Sequence, residues 1–422
     1  MFNNPFNILV LGFVFFGVIA SVCSKLSNAN DYVIAFVKII GWYFILKGYF
    51  AMRKNSFNCF DPYYKLLLVL YCVLCFVMII RGYTIDYQYQ WISTLGMINY
   101  HLFSSFYILC YIMPLVTRVD YRFYDYGYIM SLALKCAKIS VGLFIISLPF
   151  LLKESAVRLA SMDQTVEEDF SQLTWILPYT IYTLFIFFLL LGKYQTKKEW
   201  LWHLGGWLTV FLGFILLGRR GDSLITTLYI LFPMYMWVKN FKNGKIIMGV
   251  VVVLIAGLFV FLFVKSSFFS FIAARGLEDT RSGVDVALMK QMNDWEVIFG
   301  KGLNGRYYYP LRDDDYLNGW RYGSETGFYN LVLKGGFFMA IVYVLLLFIP
   351  ALNGMLKSNN ILCKASGYFI FVSLLELYPF GWLMFNLKFL LIWMGVVICM
   401  NPQIRCMNDE QIYEAFFLRR NA

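Results

Sequence analysis

Long apolar runs separated by short polar tracts fill most of this chain, and one polar interval late in it breaks the pattern. Runs of about 18 to 25 residues can each cross a hydrocarbon core ~30 Å thick, so the pattern predicts membrane helices. Spans are expected at 6–24, 31–50, 63–80, 91–116, 126–152, 173–192, 200–218, 223–238 and 246–264. After the interval come a span from about Gly327 to Pro350, then 365–383 and 384–400. The predicted fold class is all-α: a polytopic integral membrane protein of about 12 transmembrane helices with one large loop. Residues 1–265 then hold nine helices, 266–325 the loop, read as a cover over the site, and 326–422 the last three helices and a tail.

Composition agrees with the pattern. Sixty per cent of the residues are hydrophobic and 20% aromatic, with a mean hydropathy of +0.64, well outside the range of soluble domains. The net charge of +11 could point to nucleic acid, but its placement points to topology and excludes that partner. Arg53/Lys54, Arg118/Arg122, Lys193/Lys197/Lys198, Lys239/Lys242/Lys245 and Lys357/Lys364 fall in alternate connections, and Arg419-Arg420 end the tail. By the positive-inside rule those connections and both termini are cytoplasmic, and the interval lies on the outer side. The first span lacks a basic leader and reads as an uncleaved helix.

Nine cysteines lie mostly in apolar runs and form no disulfide framework. Cys72-x-x-Cys75 sits inside a span and reads as small packing residues. With only His101 and His203, both in apolar surroundings, no histidine metal site is expected.

The chemistry concentrates in the interval. About 60 residues is far longer than an ordinary connection, and this one carries Arg275, Arg281, Arg306, Arg312 and Arg321. A cationic loop over membrane helices fits an anionic, membrane-bound substrate. Arg219 and Arg220, between two spans on the same side, either snorkel to the interface or clamp phosphate, which guanidinium binds bidentately. Residues 285–295 fit an amphipathic interfacial helix. Gly300, Gly302 and Gly305 spell GxGxxG, but no βαβ unit surrounds them, so they read as tight, exposed backbone near a ligand. Asp313-Asp314-Asp315 is either a solvated turn or a divalent-cation site; no metal is assigned. Tyr307, Tyr308, Tyr309, Tyr316, Trp320 and Tyr322 can stack on sugars or populate a membrane interface. Glu325, at the head of the tenth span, is either a helix-dipole partner or a base for a hydroxyl. Asn330 and Lys334 are placed to face the same cavity, and Glu376 and Lys388 can pair across the last hairpin.

Three segments in order resemble the O-antigen polymerase and ligase superfamily of bacterial envelope enzymes. They are Leu216-Leu-Gly-Arg-Arg-Gly-Asp-Ser-Leu224, Val297-Ile-Phe-Gly-Lys-Gly-Leu-Asn-Gly305 and Glu325-Thr-Gly-Phe-Tyr-Asn-Leu-Val-Leu-Lys-Gly-Gly336. The resemblance implies a multi-pass protein of the bacterial inner membrane whose large loop is periplasmic. It implies inverting, metal-independent glycosyl transfer from a polyprenyl-diphosphate-linked oligosaccharide, with no cofactor. Membrane lipid and a chain-length regulator protein would be its partners. Arg220 and Glu325 would be catalytic, with Arg219, Arg275, Arg281, Arg306, Arg321, Asn330 and Lys334 binding diphosphate or glycan. Glu325 stands where ligases of the family have His, which favours a polymerase; the spacing Arg312-x10-Gly323 adds little. The alternatives are a ligase, a flippase for lipid-linked oligosaccharide, and a non-catalytic scaffold.

Overall fold

The computed structural model of the protein describes residues 4–20, 23, 31–54, 56–84, 108–119, 121, 123–161, 179–216, 220–238, 280–310, 319–324, 326–378 and 383–416. These are helical almost throughout. Val33–Ala51, Pro62–Gly82, Asp125–Pro149 and Gly327–Leu356 are long and apolar enough to cross a membrane. The chain is therefore a predominantly helical membrane protein. Pro5–Ile19, Ile108–Arg118, Ile361–Leu375 and Leu387–Met400 are shorter and also apolar. The expected span at 246–264, and most of that at 91–116, lie outside the described residues.

Two compact units make up the chain, one from residues 1–130 and 281–422, the other from 131–280. The first begins with α1 (Pro5–Phe13), which continues as a π-helical stretch to Ile19. Pro5 fits its first turn, and the Asn4 side chain accepts the Phe6 amide at 3.1 Å. α1 packs on α2 (Asp31–Ala51) backbone to backbone: a Cβ at Gly12 would lie 2.7 Å from the Gly41 carbonyl. Small residues permit this close approach, as they do generally between helices in lipid. α3 (Pro62–Thr84) follows, then α4 (Ile108–Ile112) with a 3-10 turn to Arg118. α5 (Phe123–Ser161) starts in the first unit and ends in the second.

The second unit also holds α6 (Tyr179–Leu190), α7 (Lys197–Leu216) and α8 (Arg220–Val238). Two hydrogen bonds tie polar groups among their apolar faces. Ser140 and Thr209 share a hydrogen bond of 3.0 Å, and the Trp207 indole donates to the Thr226 carbonyl at 2.8 Å.

The first unit resumes with α9 (Thr280–Lys290) and α10 (Asp294–Phe299), where the sequence pattern predicts one helix over 285–295. The break falls at Asn293, whose side chain caps α10 in a reciprocal box with Glu296. Among the described residues two short strands pair antiparallel, β1 (Tyr307–Tyr308) and β2 (Trp320–Arg321). The long helix α11 (Gly327–Leu356) runs past Pro350 and is interrupted at Gly336. α12 (Ile361–Leu375) and α13 (Leu387–Met400) pack against it, and α14 (Pro402–Cys406) and α15 (Asp409–Phe416) close the described chain. The Tyr64 hydroxyl donates to the Leu346 carbonyl at 2.7 Å, tying α3 to α11 within the core.

Candidate functional site

Described residues of the polar interval, Ile298 to Gly305, fold down onto the break in α11. Gly336 has φ +75°, and Gly300, which ends α10, has φ +72°; both conformations favour glycine. The two backbones cross there: a Cβ on Gly336 would lie 2.0 Å from the Ile298 carbonyl oxygen, and one on Gly300 2.3 Å from that of Lys334. An unbroken helix would satisfy the Leu333 and Lys334 carbonyls from Phe337 and Phe338. Across the break the loop does so instead, with Lys301 N–H donating to Leu333 at 2.8 Å and Gly302 N–H to Lys334 at 2.9 Å.

The same loop is pinned to α3. Leu303 N–H donates to the Met78 carbonyl at 3.0 Å and the Asn304 amide to the Gly82 carbonyl at 2.8 Å. Arg81 donates to the Phe299 carbonyl at 2.9 Å, and Lys334 Nζ to that of Gly305 at 2.9 Å. Gly300, Gly302 and Gly305 are buried, so the glycine motif is a docking segment and not the exposed backbone expected from sequence.

A second knot sits at the head of α11. Ser324 N–H donates to Asn330 Oδ1 at 2.6 Å, and Asn330 Nδ2 donates back to the Ser324 carbonyl at 2.7 Å. The Asp285 carboxylate, from α9, accepts the hydroxyls of Ser324 and of Thr326, the latter at 2.9 Å. Asp285 thus grips the residues on both sides of Glu325 in the chain. Gly327 and Phe328 N–H donate to the Leu377 carbonyl, supplying partners for the first turn. Ser324, Thr326, Asn330 and Lys334 are all buried.

Arg306 and Arg321 lie over aromatic rings. Arg306 lies 4.4 Å from the Trp320 ring centre, and Arg321 5.7 Å from that of Tyr309, whose carbonyl accepts from Arg321 Nε at 3.3 Å. Stacking occupies the guanidinium face and leaves its N–H edge for oxygen acceptors. Gln291 holds the strand pair to α9 by two hydrogen bonds of 2.8 Å with the Tyr308 backbone. Lys301 Nζ donates to the Arg306 carbonyl at 3.3 Å and lies 3.9 Å from Glu296. Burial lowers its pKa from the ordinary lysine value, and the Glu296 carboxylate opposes that shift.

Of the residues singled out from sequence, Arg306, Arg321, Asn330 and Lys334 therefore belong to one folded region. Arg219, Arg275, Glu325, Arg312 and Asp313–Asp315 lie outside the described residues. For Arg220, which opens α8, and Arg281, in the first turn of α9, the backbone alone is described. Asp285, Arg81, Lys301 and Gln291 joined the site only in the structure. Asp285 meets residues 39 and 41 positions away, a separation no local spacing encodes. Among the described residues no cluster of His, Cys, Asp or Glu could hold a metal. Cys72 is exposed and Cys75 buried, with its thiol 3.7 Å from the Tyr111 carbonyl. Glu376 and Lys388 pair directly, and both are buried.

These features define a helical membrane protein in which a folded polar segment is clamped onto a broken membrane helix. Compared with protein-family models, curated proteins and solved structures, the chain matches none.

Proposed function

We propose that the chain is a polymerase joining polyprenyl-diphosphate-linked oligosaccharide repeat units into a surface polysaccharide. In this reading it has about 12 spans, lies in the bacterial inner membrane with both termini cytoplasmic, and turns its large loop to the periplasm. The observation that carries the reading is the attachment of the basic, aromatic interval to the head of α11, with Asp285 bonded to both chain neighbours of Glu325. Such a region offers guanidinium edges for phosphate, rings for sugar faces and polar groups beside a membrane helix.

In the proposed reaction an acceptor sugar hydroxyl attacks the anomeric carbon of the donor. The bond from that carbon to the diphosphate oxygen breaks, and its electron pair leaves with the diphosphate. The hydroxyl proton passes to the Glu325 carboxylate, and the anomeric configuration inverts. Arg220 holds the leaving diphosphate, with Arg219, Arg275 and Arg281 supplying further positive charge. Arg306 and Arg321 line the donor or glycan path, while Asn330 and Lys334, expected from sequence to face it, are buried and hold the segment through Ser324 and Gly305. Membrane lipid surrounds the chain, and a chain-length regulator protein is the expected partner.

The break at Gly336 favours a second reading, since transporters place discontinuous helices at their substrate sites. One experiment separates them: gels of surface and lipid-linked glycans from cells lacking the protein, complemented with wild type, Arg220→Ala or Glu325→Gln. A single repeat unit on the final acceptor, with the ladder lost in both variants, supports the polymerase. Long glycan stranded on its carrier indicates a ligase. Repeat units trapped on the inner leaflet indicate a flippase, and an unchanged profile rejects all three.

A further inference from the structure

The exposed surface of α11 changes at its break. Between Gly327 and Gly336 no described residue of the helix is exposed. From Phe338 onward Phe338, Ile341, Leu345, Phe348 and Leu356 are exposed, at helical spacing and without one polar side chain among them. Lys357 follows at once. The stretch from Phe337 to Leu356 is about 20 residues and so about 30 Å long, the thickness of a hydrocarbon core. The buried Asn330 and Lys334 fall before it.

The short helix α10 lies against this break. Its Trp295, Ile298 and Phe299 occupy one face by i, i+3, i+4 spacing, while Asp294 and Glu296 fall elsewhere. Trp295 is 72% exposed and Ile298 46%. The Trp295 and Phe299 rings stack at 5.9 Å, and Phe299 meets Phe338 edge-on at 6.4 Å. The apolar face of α10 is thus continuous, ring by ring, with the first exposed residue of the α11 stripe.

We infer that α10 is an interfacial foot: Trp295 and Ile298 enter the lipid headgroup–acyl boundary, and the break at Gly336 marks the level of that boundary. The occupant of the surface is lipid. The stripe it continues has the length and composition of a lipid-facing surface, and tryptophan beside acidic residues suits the interface, where one side is apolar and the other wet. The foot also sets the depth of the site, because the loop that follows α10 is bonded to Leu333 and Lys334. The boundary at Gly336 does not rest on the proposed glycosyl transfer, and it sets the break away from the bilayer midplane, where transporters bind their substrates.

The test uses the full chain in lipid nanodiscs with 5-fluorotryptophan in place of tryptophan. The Trp295 fluorine signal is assigned as the one lost in Trp295→Phe, and a Phe338→Trp variant adds a second reporter at the head of the stripe. Three paramagnetic probes are compared: a lipid labelled near the headgroup, a lipid labelled near the chain end, and an aqueous gadolinium chelate. The shallow lipid label is expected to broaden the Trp295 signal several-fold more than either other probe, and to broaden the second reporter as well. Broadening mainly by the chelate would overturn the proposal by placing the foot in water. Dominance of the deep label would overturn the boundary at Gly336. Protection from all three would mean that protein covers the foot, and would also overturn it.

Discussion

Ser324 and Asn330 hold each other by a pair of hydrogen bonds, backbone amide to side-chain oxygen at 2.6 Å and side-chain amide to backbone carbonyl at 2.7 Å. The pair closes the entry to α11 on itself. Each group is buried, so water cannot replace a lost partner. Replacing Asn330 with Leu strands both Ser324 groups, at about 1–3 kcal/mol each. A clear drop in the unfolding midpoint in detergent is expected, and a wild-type midpoint would show that the chain enters α11 by another route.

Gly336→Ala and Gly300→Ala bring a Cβ into the crossing backbones and a positive φ onto a residue that resists it. The strained conformation alone costs about 1–3 kcal/mol, and the overlap adds to it. Neither variant should yield a monodisperse protein on size-exclusion chromatography. Gly142→Ala is the control, because nothing lies within 4 Å of an added Cβ there.

Asp285→Ala removes the acceptor for two hydroxyls, and hydrogen bonds to a charged group contribute about 1.5–3 kcal/mol each. Asp285→Asn keeps one side-chain oxygen and should lose less. Under the proposed reaction the glycan ladder should weaken in the order wild type, Asn, Ala, while membrane insertion stays normal. Equal ladders from both variants would detach Asp285 from the positioning of Glu325.

Lys388→Met leaves the Glu376 carboxylate buried beside an apolar side chain, a change that costs about 3–5 kcal/mol in comparable sites. Lys388→Met combined with Glu376→Gln should recover much of that loss. A double-mutant cycle of unfolding midpoints measures the coupling, and additive effects would mean that the pair is already open to water.

Much of the architecture was legible in residue order. Among the described residues the apolar runs located helices, because a span needs length and apolarity, which sequence displays directly. The runs at 31–50 and 63–80 lie within helices Asp31–Ala51 and Pro62–Thr84. Pro350 was a poorer guide: it reads as a stop, yet α11 carries it and continues to Leu356. The helix is packed on both sides of that residue: Tyr343 meets Trp393 of α13 before it, and Gly354 abuts Gly367 of α12 after it. Arg306 and Arg321 stood out as charges in a polar interval, but not their seats on Trp320 and Tyr309, which depend on a strand pair two residues long.

Residue order was enough to establish a helical membrane protein with one unusual polar segment, because hydropathy and length act locally along the chain. Folding in three dimensions was needed to lay that segment onto a broken helix, to make the crossing from buried glycines, and to bring Asp285 to Ser324 and Thr326. Those contacts join residues far apart in the chain. They form because buried carbonyls, amides and hydroxyls must find partners wherever packing brings one within reach.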